Sequence, residues 1–334
     1  VGIVTARDGL TIRWTPEEVW QTVNAFAGMQ PELAREGFGL GKDARDWKVT
    51  LAQQDLRDSG PAREKIVPIL YRPFDVRHTY YTGKSRGFLC MPREEVMRHM
   101  LAGENLALLM PRRVEHIGAW QHVLVTDAIS EHVTVSLKTI DYHFPLYLYP
   151  DPDAKQHDLF AALEPAGRRL NLHPALLPTL AATYGREPSP EEVFAYVYAI
   201  LYTPTYRARY AEFLRMDFPR IPFTRESTVF AAFAGLGERL IALHLLRSPE
   251  LEPPTCRFEG AGDSIIARGR KDGLRYDPAA ARVYINSTQY FAPVPLDVWT
   301  YQVGGYQVCE KWLKDRQERR LTLDDIRTYC RIVT

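Results

Sequence analysis

The sequence predicts a mixed α/β fold in two lobes, with a mixed sheet and helices in the first and helices plus short strands in the second. Three observations carry this prediction: well-marked helix starts, short apolar runs typical of buried strands, and a proline-rich break near the middle. The chain has 334 residues, 46% of them hydrophobic and 25% charged, which is typical of a globular protein long enough for two domains. A disordered chain, a collagen-like rod and a disulfide-rich mini-protein are excluded.

Three helix starts carry capping signals. Thr15 and Ser189 are each followed by Pro and then by two Glu residues, so a capping side chain precedes a proline at the first helical position and acids in the first turn. Thr322 with Asp325 marks a third start near the C-terminus.

Helices dominate the middle of the chain. The helix that follows Ser189 is broken or kinked at Pro204, and we expect a further helix over residues 206–216 and a long, mostly buried one over residues 226–247. Inside the long helix, Gly235-Leu236-Gly237 lacks the third glycine of a dinucleotide-binding loop. We interpret these glycines as a place where two helices pack closely.

Short apolar runs bounded by polar residues or proline predict strands. In the first half they cover residues 66–71, 105–110, 122–126 and 142–149, with a helix over residues 91–101. In the second half they cover residues 264–267, 282–287 and 299–303, followed by a helix over residues 306–316. Lys271-Asp272-Gly273 supplies turn residues, so we expect a hairpin there.

The domain boundary is predicted near residue 150. Asp151-Pro152-Asp153-Ala154-Lys155 combines prolines with polar residues, as linkers do. The N-terminal lobe is then residues 1–150 and the C-terminal lobe residues 151–334.

Charge and cysteine usage limit the class of protein. The net charge is +1, from 42 basic and 41 acidic residues, which excludes a strongly basic nucleic-acid coat but allows a locally basic groove. The four cysteines are scattered without a CxxC pair, which favours reduced thiols in the cytoplasm. No apolar stretch is both long enough and free enough of charge to span a membrane.

A catalytic or metal site is not predicted. The sequence contains no Walker phosphate loop, HExxH, GxSxG or Asn/Asp-Pro-Pro-Tyr segment, so phosphate-loop, zinc-protease, esterase and amino-methylating signatures are absent. Four of the nine histidines, His116, His122, His132 and His143, are spaced by 6, 10 and 11 residues, which matches no zinc pattern.

Two alternative functions stay open. Metal-dependent nucleases use an acid and an acid-x-Lys pair on adjacent strands, and Asp141 with Asp153 and Lys155 offers this composition. The acid-x-Lys pair falls in the predicted linker, however, which counts against a nuclease. The other alternative is a protein-interaction scaffold without DNA contact.

Two basic regions could contact nucleic acid. Residues 57–113 hold eleven Lys or Arg against six acids, with interleaved aromatics. The loop over residues 82–87 has two cations, hydroxyls and glycines, so it could follow a phosphate backbone or be an ordinary solvated loop. A second cluster carries +3 over residues 201–225. The predicted phosphate-binding residues are Arg72, Arg77, Lys84, Arg86, Arg112, Arg113, Arg207 and Arg209.

Seven segments, in order from residue 43 to residue 316, resemble the C-terminal specificity region of single-chain Type ISP restriction-modification enzymes. One is Tyr71-Arg72-Pro73-Phe74-Asp75-Val76-Arg77. The others cover residues 43–48, 92–100, 144–150, 194–201, 206–210 and 304–316. Together they extend the resemblance over most of the chain.

The resemblance implies a reader of double-stranded DNA. Members of the family carry a nuclease, an ATP-driven helicase-like motor, an adenine methyltransferase and then this target-recognition region. Residues 2–8 resemble the segment that joins methyltransferase to reader, so we expect a piece of a longer polypeptide. Its missing domains would use S-adenosylmethionine, ATP and Mg, whereas this chain alone would hold no cofactor and have no activity.

Sequence choice is expected from the second lobe. Arg pairs bidentately with guanine, and Asn or Gln with adenine. The candidate base readers on the predicted second-lobe strands are Arg268, Arg270, Asn286 and Gln289. The block over residues 71–77 is expected to be structural or phosphate-facing rather than base-reading.

Overall fold

The computed structural model describes residues 1–115, 118–151, 167–269 and 272–334 and has the predicted mixed α/β fold. The helices are α1 (Asp8–Thr11), α2 (Pro16–Gly28), α3 (Pro31–Gly37), α4 (Val49–Ser59), α5 (Glu94–Leu101), α6 (Leu176–Tyr184), α7 (Pro190–Tyr202), α8 (Pro204–Arg209), α9 (Ala211–Met216), α10 (Ser227–His244), α11 (Leu296–Trp299), α12 (Val308–Lys314) and α13 (Leu323–Val333). The strands are β1 (Ile12–Arg13), β2 (Ile66–Arg72), β3 (Asp75–Tyr80), β4 (Ala107–Pro111), β5 (Leu124–Thr126), β6 (Ile129–Ser130), β7 (Asp141–Pro145), β8 (Tyr147–Leu148), β9 (Arg169–Leu170), β10 (Arg257–Glu259), β11 (Arg275–Asp277), β12 (Arg282–Tyr284), β13 (Tyr290–Ala292), β14 (Gln302–Val303) and β15 (Tyr306–Gln307).

All three predicted helix starts are confirmed. The Thr15 hydroxyl accepts a hydrogen bond from the Glu18 amide at the start of α2. Ser189 and Thr322 each form a complete capping box at the starts of α7 and α13, which satisfies amide groups that a helix start otherwise leaves unpaired. Pro204 does end α7, and α8 begins at that proline.

The described residues form three sheets of three or four strands and two sheets of two strands. The first has the strand order β1-β3-β2-β6, with β2 and β3 paired as an antiparallel hairpin and β6 parallel to β2. The second has the order β5-β4-β7, and the third has the order β10-β13-β12-β11. At the tip of the β2–β3 hairpin Phe74 adopts a left-handed φ of 60°, and its ring contacts that of His244 at the end of α10.

The predicted hairpin near residue 271 is wrong within the described residues. Residues 264–267 form no regular strand: Ile265 forms an isolated bridge with Arg320, and the Ala267 amide donates to the Ile285 carbonyl at 2.9 Å. Arg270 and Lys271 lie outside the described residues. The hairpin in this region is β11–β12 instead. Residues 299–303 are not one strand either, because Pro295 precedes the short helix α11 and only Gln302–Val303 is extended.

The long helix α10 packs closely on α7, as the glycine pair suggested. A Cβ on Gly237 would lie 1.9 Å from the Ala195 carbonyl oxygen, whereas one on Gly235 would meet nothing within 4 Å. The expectation that α10 is mostly buried is wrong, since only one face is buried and Leu236 on another is 58% exposed.

Hydrophobic clusters cross the predicted boundary near residue 150. One cluster joins residues 108–146 to residues 180–241, and another joins Leu70, Leu109 and Val135 to Val303 and Val308. The division into residues 1–150 and 151–334 stays a prediction, and these shared cores argue against lobes that fold independently.

Candidate nucleic-acid interface

Two of the predicted phosphate-binding arginines lie inside the protein. Arg77 is 9% exposed and forms a double hydrogen bond with Asp75 through Nε at 3.0 Å and Nη2 at 2.6 Å. The Arg72 side chain is 12% exposed and donates to Glu131 at 2.7 Å. These guanidinium groups already have buried carboxylate partners, which counts against the expectation that they face a DNA backbone. That assignment stays a prediction.

Asp75 joins the β2–β3 hairpin to the C-terminal part of the chain. Its second carboxylate oxygen accepts from Arg316 Nη2 at 2.8 Å, and Arg316 also reaches Asp325 in α13. Burial opposes ionisation of Asp75, but Arg316 and Arg77 outweigh it and hold its pKa below the usual range. The block over residues 71–77 is therefore a structural element, which is one of the two roles expected for it.

A buried acid, Asp55, holds both ends of the loop over residues 82–87 in place. Asp55 Oδ2 accepts from the Thr82 hydroxyl at 2.9 Å and from the Phe88 amide at 2.8 Å. A Cβ on Gly87 would lie 2.2 Å from the same oxygen, so only glycine lets the loop approach this carboxylate so closely. Asp55 therefore braces this loop.

The braced loop presents two cations to solvent. The Lys84 side chain is 50% exposed and pairs with Asp58 at 3.0 Å, and that of Arg86 is 67% exposed and pairs with Asp46 at 3.3 Å. Exposed pairs of this kind contribute little to stability. Both cations can therefore exchange a carboxylate for a phosphate at small cost.

Sequence reasoning missed Asp55, although its signal is visible. It lies on α4 between the buried residues Ala52 and Leu56. An acid on the apolar face of a helix needs a buried hydrogen-bond partner, and that requirement could have indicated a bracing role.

The other predicted phosphate-binding arginines lie near one another. Val114 donates its amide to the Arg215 carbonyl at 3.0 Å, which brings Arg112 and Arg113 to the helix that follows Arg209. Arg112 pairs with Asp217 at 2.8 Å, and Arg113 and Arg209 are exposed.

Arg207 differs from these arginines because it is half-buried. Its guanidinium lies 4.4 Å from the centre of the Tyr202 ring, and Nε donates to the Leu201 carbonyl at 2.5 Å. Its Nη2 is buried and has no hydrogen-bond partner within the described ranges.

The predicted base readers have unequal surroundings. Gln289 is 3% exposed, and its Oε1 accepts from the Ser264 amide at 2.8 Å and from Asn286 at 3.0 Å. Asn286 Oδ1 in turn accepts from the Gln289 amide at 2.7 Å. The side-chain amides of Asn286 and Gln289 therefore stabilise a turn. The Arg268 side chain, in contrast, is 69% exposed and pairs with Glu318 at 3.0 Å.

Of the residues of the nuclease alternative, Asp141 lies within the part of the chain that the structure describes. Asp141 is fully buried, and its Oδ2 accepts from the Val135 amide at 2.6 Å. Desolvation raises the pKa of this carboxyl well above its usual value. Asp153 and Lys155 lie outside the described residues.

Of the histidines His116, His122, His132 and His143, the three that the structure describes are buried or half-buried. His143 hydrogen-bonds to Ser130 at 3.0 Å, His122 is buried, and His132 contacts Glu131. His116 lies outside the described residues. Among the residues that are described, no group of three or more His, Cys, Asp or Glu side chains could hold a metal ion.

Comparison with known families identifies the chain. The model of the Type ISP C-terminal specificity domain matches residues 1–334. The chain therefore belongs to the family of Type ISP C-terminal specificity domains. No curated protein matches it, and no described helix is long and apolar enough to cross a membrane.

Solved structures share the fold. The DrdV–DNA complex, determined by cryo-electron microscopy, superposes with a TM-score of 0.72 at 23% identity, over 100% of this chain and 34% of that chain. The ATP-dependent Type ISP restriction-modification enzyme LlaBIII, bound to DNA, superposes with a TM-score of 0.68 at 17% identity, over 99% of this chain and 22% of that chain. A nuclease-deletion mutant of the Type ISP enzyme LlaGI, in complex with a DNA substrate mimic, superposes with a TM-score of 0.65 at 17% identity, over 99% of this chain and 31% of that chain. The chain thus spans between 22% and 34% of the length of these relatives.

Proposed function

We propose that this chain recognises a specific sequence in double-stranded DNA, as the specificity domain of a Type ISP restriction-modification enzyme. The observation that carries the proposal is the family match over the full 334 residues. It is supported by the fact that DrdV, LlaBIII and LlaGI were all solved with DNA or a DNA mimic. Because the chain spans only 22% to 34% of these relatives' length, a methyltransferase and a helicase-nuclease belong to the same proposal, with S-adenosylmethionine, ATP and Mg as their cofactors.

The proposed setting is the cytoplasm, where DNA is accessible and thiols stay reduced. All four cysteines are free and buried, which agrees with a reducing compartment.

Contacts with DNA phosphates are assigned to the braced loop over residues 82–87. Lys84 and Arg86 are half or more exposed on a backbone that Asp55 already fixes. A pre-ordered loop loses little conformational freedom on binding. Contacts of this kind position a duplex without reading its sequence.

Base reading is assigned first to Arg268, whose exposed guanidinium can release Glu318 and contact a guanine edge. Asn286 and Gln289 support the surface beneath it in this proposal, since their amides hydrogen-bond within the turn. The role of Arg270 stays a prediction.

The test begins with a selection of bound sites from a random duplex library. Binding of the selected site and of unrelated duplexes is then measured against salt for the chain and for Lys84→Ala/Arg86→Ala. The double variant should weaken all duplexes equally and reduce the slope of log K against log salt by about two units, because each phosphate contact contributes about one. A matched control is Arg239→Ala/Arg327→Ala, which removes two exposed, ion-paired arginines elsewhere.

Three results would count against the proposal. A chain that selects no sequence is not a reader, and an unchanged salt slope removes the loop from the interface. Arg268→Ala should cost about 1–3 kcal/mol at one base position, so an unchanged base preference places the reading surface elsewhere.

A further inference from the structure

An apolar groove lies beside α8 and α9 on the surface of the protein. It is lined by Tyr206 and Tyr210 and by residues of the segment that follows α9, among them Phe218 and Arg220. Its volume is about 520 Å³, within the range of small-ligand sites. Phe213 at its rim is 67% exposed, although an aromatic side chain of this size is usually buried.

The aromatic rings that line the groove are held in place by contacts with one another and with β7. The Tyr206 hydroxyl donates to the Arg220 carbonyl at 2.9 Å, and its ring centre lies 5.0 Å from that of Tyr210. Phe218 packs edge-to-face on Tyr142 and Phe144 of β7, with ring centres 5.0 and 5.2 Å apart. The rings are therefore positioned before any ligand arrives.

Arginines surround this aromatic groove. Residues 204–222 contain the groove lining, and residues 111–115 contact them through Val114 and Arg112. Together these two segments contain six arginines and three acids. Arg112 lies 5.9 Å from the centre of the Phe218 ring, and Arg209 lies 5.8 Å from that of Tyr210. Of the acids, Asp217 is already paired with Arg112, so the surroundings favour an anionic ligand.

We infer that the groove binds an unpaired stretch of DNA strand, with a base against Phe213 and Tyr210 and phosphates at the surrounding arginines. Proteins that hold single strands combine aromatic platforms with a positively charged track, and every base can stack on such a ring. An apolar protein partner would use the rings but would gain nothing from the excess of arginine. The inference goes beyond the proposed function, which concerns the duplex.

The test measures binding of a fluorescently labelled oligothymidylate of about 12 nucleotides, a length within the usual site sizes, by anisotropy at low salt. Phe213→Ala should weaken binding about fivefold or more, since stacking of one base is worth at least that factor. Phe213→Tyr keeps an aromatic ring and should restore binding. Leu236→Ala removes a comparably exposed apolar side chain from α10 and should change nothing.

The outcomes separate this inference from the proposed function. The inference is overturned if the chain does not bind the oligonucleotide, if Phe213→Ala binds as well as the parent, or if Phe213→Tyr is as weak as Phe213→Ala. If the chain selects a duplex sequence but does not bind the oligonucleotide, the groove is not a single-strand site and the proposed function is unaffected. If it binds the oligonucleotide but selects no duplex sequence, the inference about the groove is supported and the proposed function is contradicted. Self-association that Phe213→Ala abolishes, with oligonucleotide affinity unchanged, would assign the groove to a protein contact.

Discussion

At the scale of single residues, the strand β3 reverses the usual pattern of burial. Asp75 and Arg77 are buried while Val76 between them is 52% exposed. A reader of the sequence would put the apolar residue inside and the charges outside. The observed arrangement is possible because Arg77 and Arg316 compensate the Asp75 carboxylate inside the protein.

We predict that Asp75→Asn lowers the free energy of unfolding by about 3–5 kcal/mol at pH 7, because it leaves buried guanidinium groups without their shared carboxylate. Asp217→Asn makes the same chemical change in an exposed pair and should cost at most about 1 kcal/mol. Urea unfolding of the three proteins measures both values.

The effect of Asp75→Asn should also depend on pH in one direction. The folded-state pKa of Asp75 lies below its usual value. Its contribution is therefore present in full above the unfolded pKa of about 3.9 and is lost as the pH falls through the folded value. The parent and the variant should converge in acid. Equal stability at pH 7 would contradict the role given to this carboxylate.

The roles of single charged residues could be predicted only in part. The sequence shows that residues 57–113 are basic, and Lys84 and Arg86 do face solvent. It does not show that Arg72 and Arg77 are buried. Glu131, which pairs with Arg72, and Arg316, which shares Asp75 with Arg77, are both distant in sequence. Composition reports the number of charges, whereas burial depends on contacts between remote segments.

At the scale of elements, local signals were the reliable ones. Thr15, Ser189 and Thr322 cap helices because a capping hydrogen bond involves only neighbouring residues. Residues 264–267 look like a strand, but a strand needs one partner along its length. This segment instead divides its backbone hydrogen bonds between residues 318–321 and Ile285. A pairing of that kind is decided by the tertiary fold, not by β-propensity.

We predict opposite effects for the two glycines of α10. Gly237→Ala should lower the free energy of unfolding by about 1–3 kcal/mol, because the new methyl group would overlap the Ala195 carbonyl. Gly235→Ala meets no neighbour and should raise stability by up to about 1 kcal/mol, since alanine is the better helix former. Urea unfolding of both variants decides the matter, and equal effects would mean that α7 and α10 are not in this close contact.

At the scale of the whole molecule, contacts between distant segments decide how the chain unfolds. Asp75 forms an ion pair with Arg316. The backbone at Gly304 lies so close to that at Val135 that a Cβ on Gly304 would be 1.9 Å from the Val135 carbonyl oxygen. The cluster that contains Leu108 and Leu146 continues into α7 and α10. The predicted boundary near residue 150 therefore passes through shared cores, because a proline-rich segment marks a loop but does not reveal what packs across it.

We predict a single cooperative unfolding transition for residues 1–334. Urea melts followed by backbone circular dichroism and by tryptophan fluorescence should coincide, because Trp47 and Trp312 report buried clusters in the first and last parts of the chain. Residues 1–150 expressed alone would expose the apolar side chains that α7 and α10 cover, so we expect that piece to bind a hydrophobic dye such as ANS. Two separated transitions, or a well-dispersed NMR spectrum from residues 1–150, would instead establish two independent lobes, since a lobe that keeps fixed packing without its neighbour has its own core.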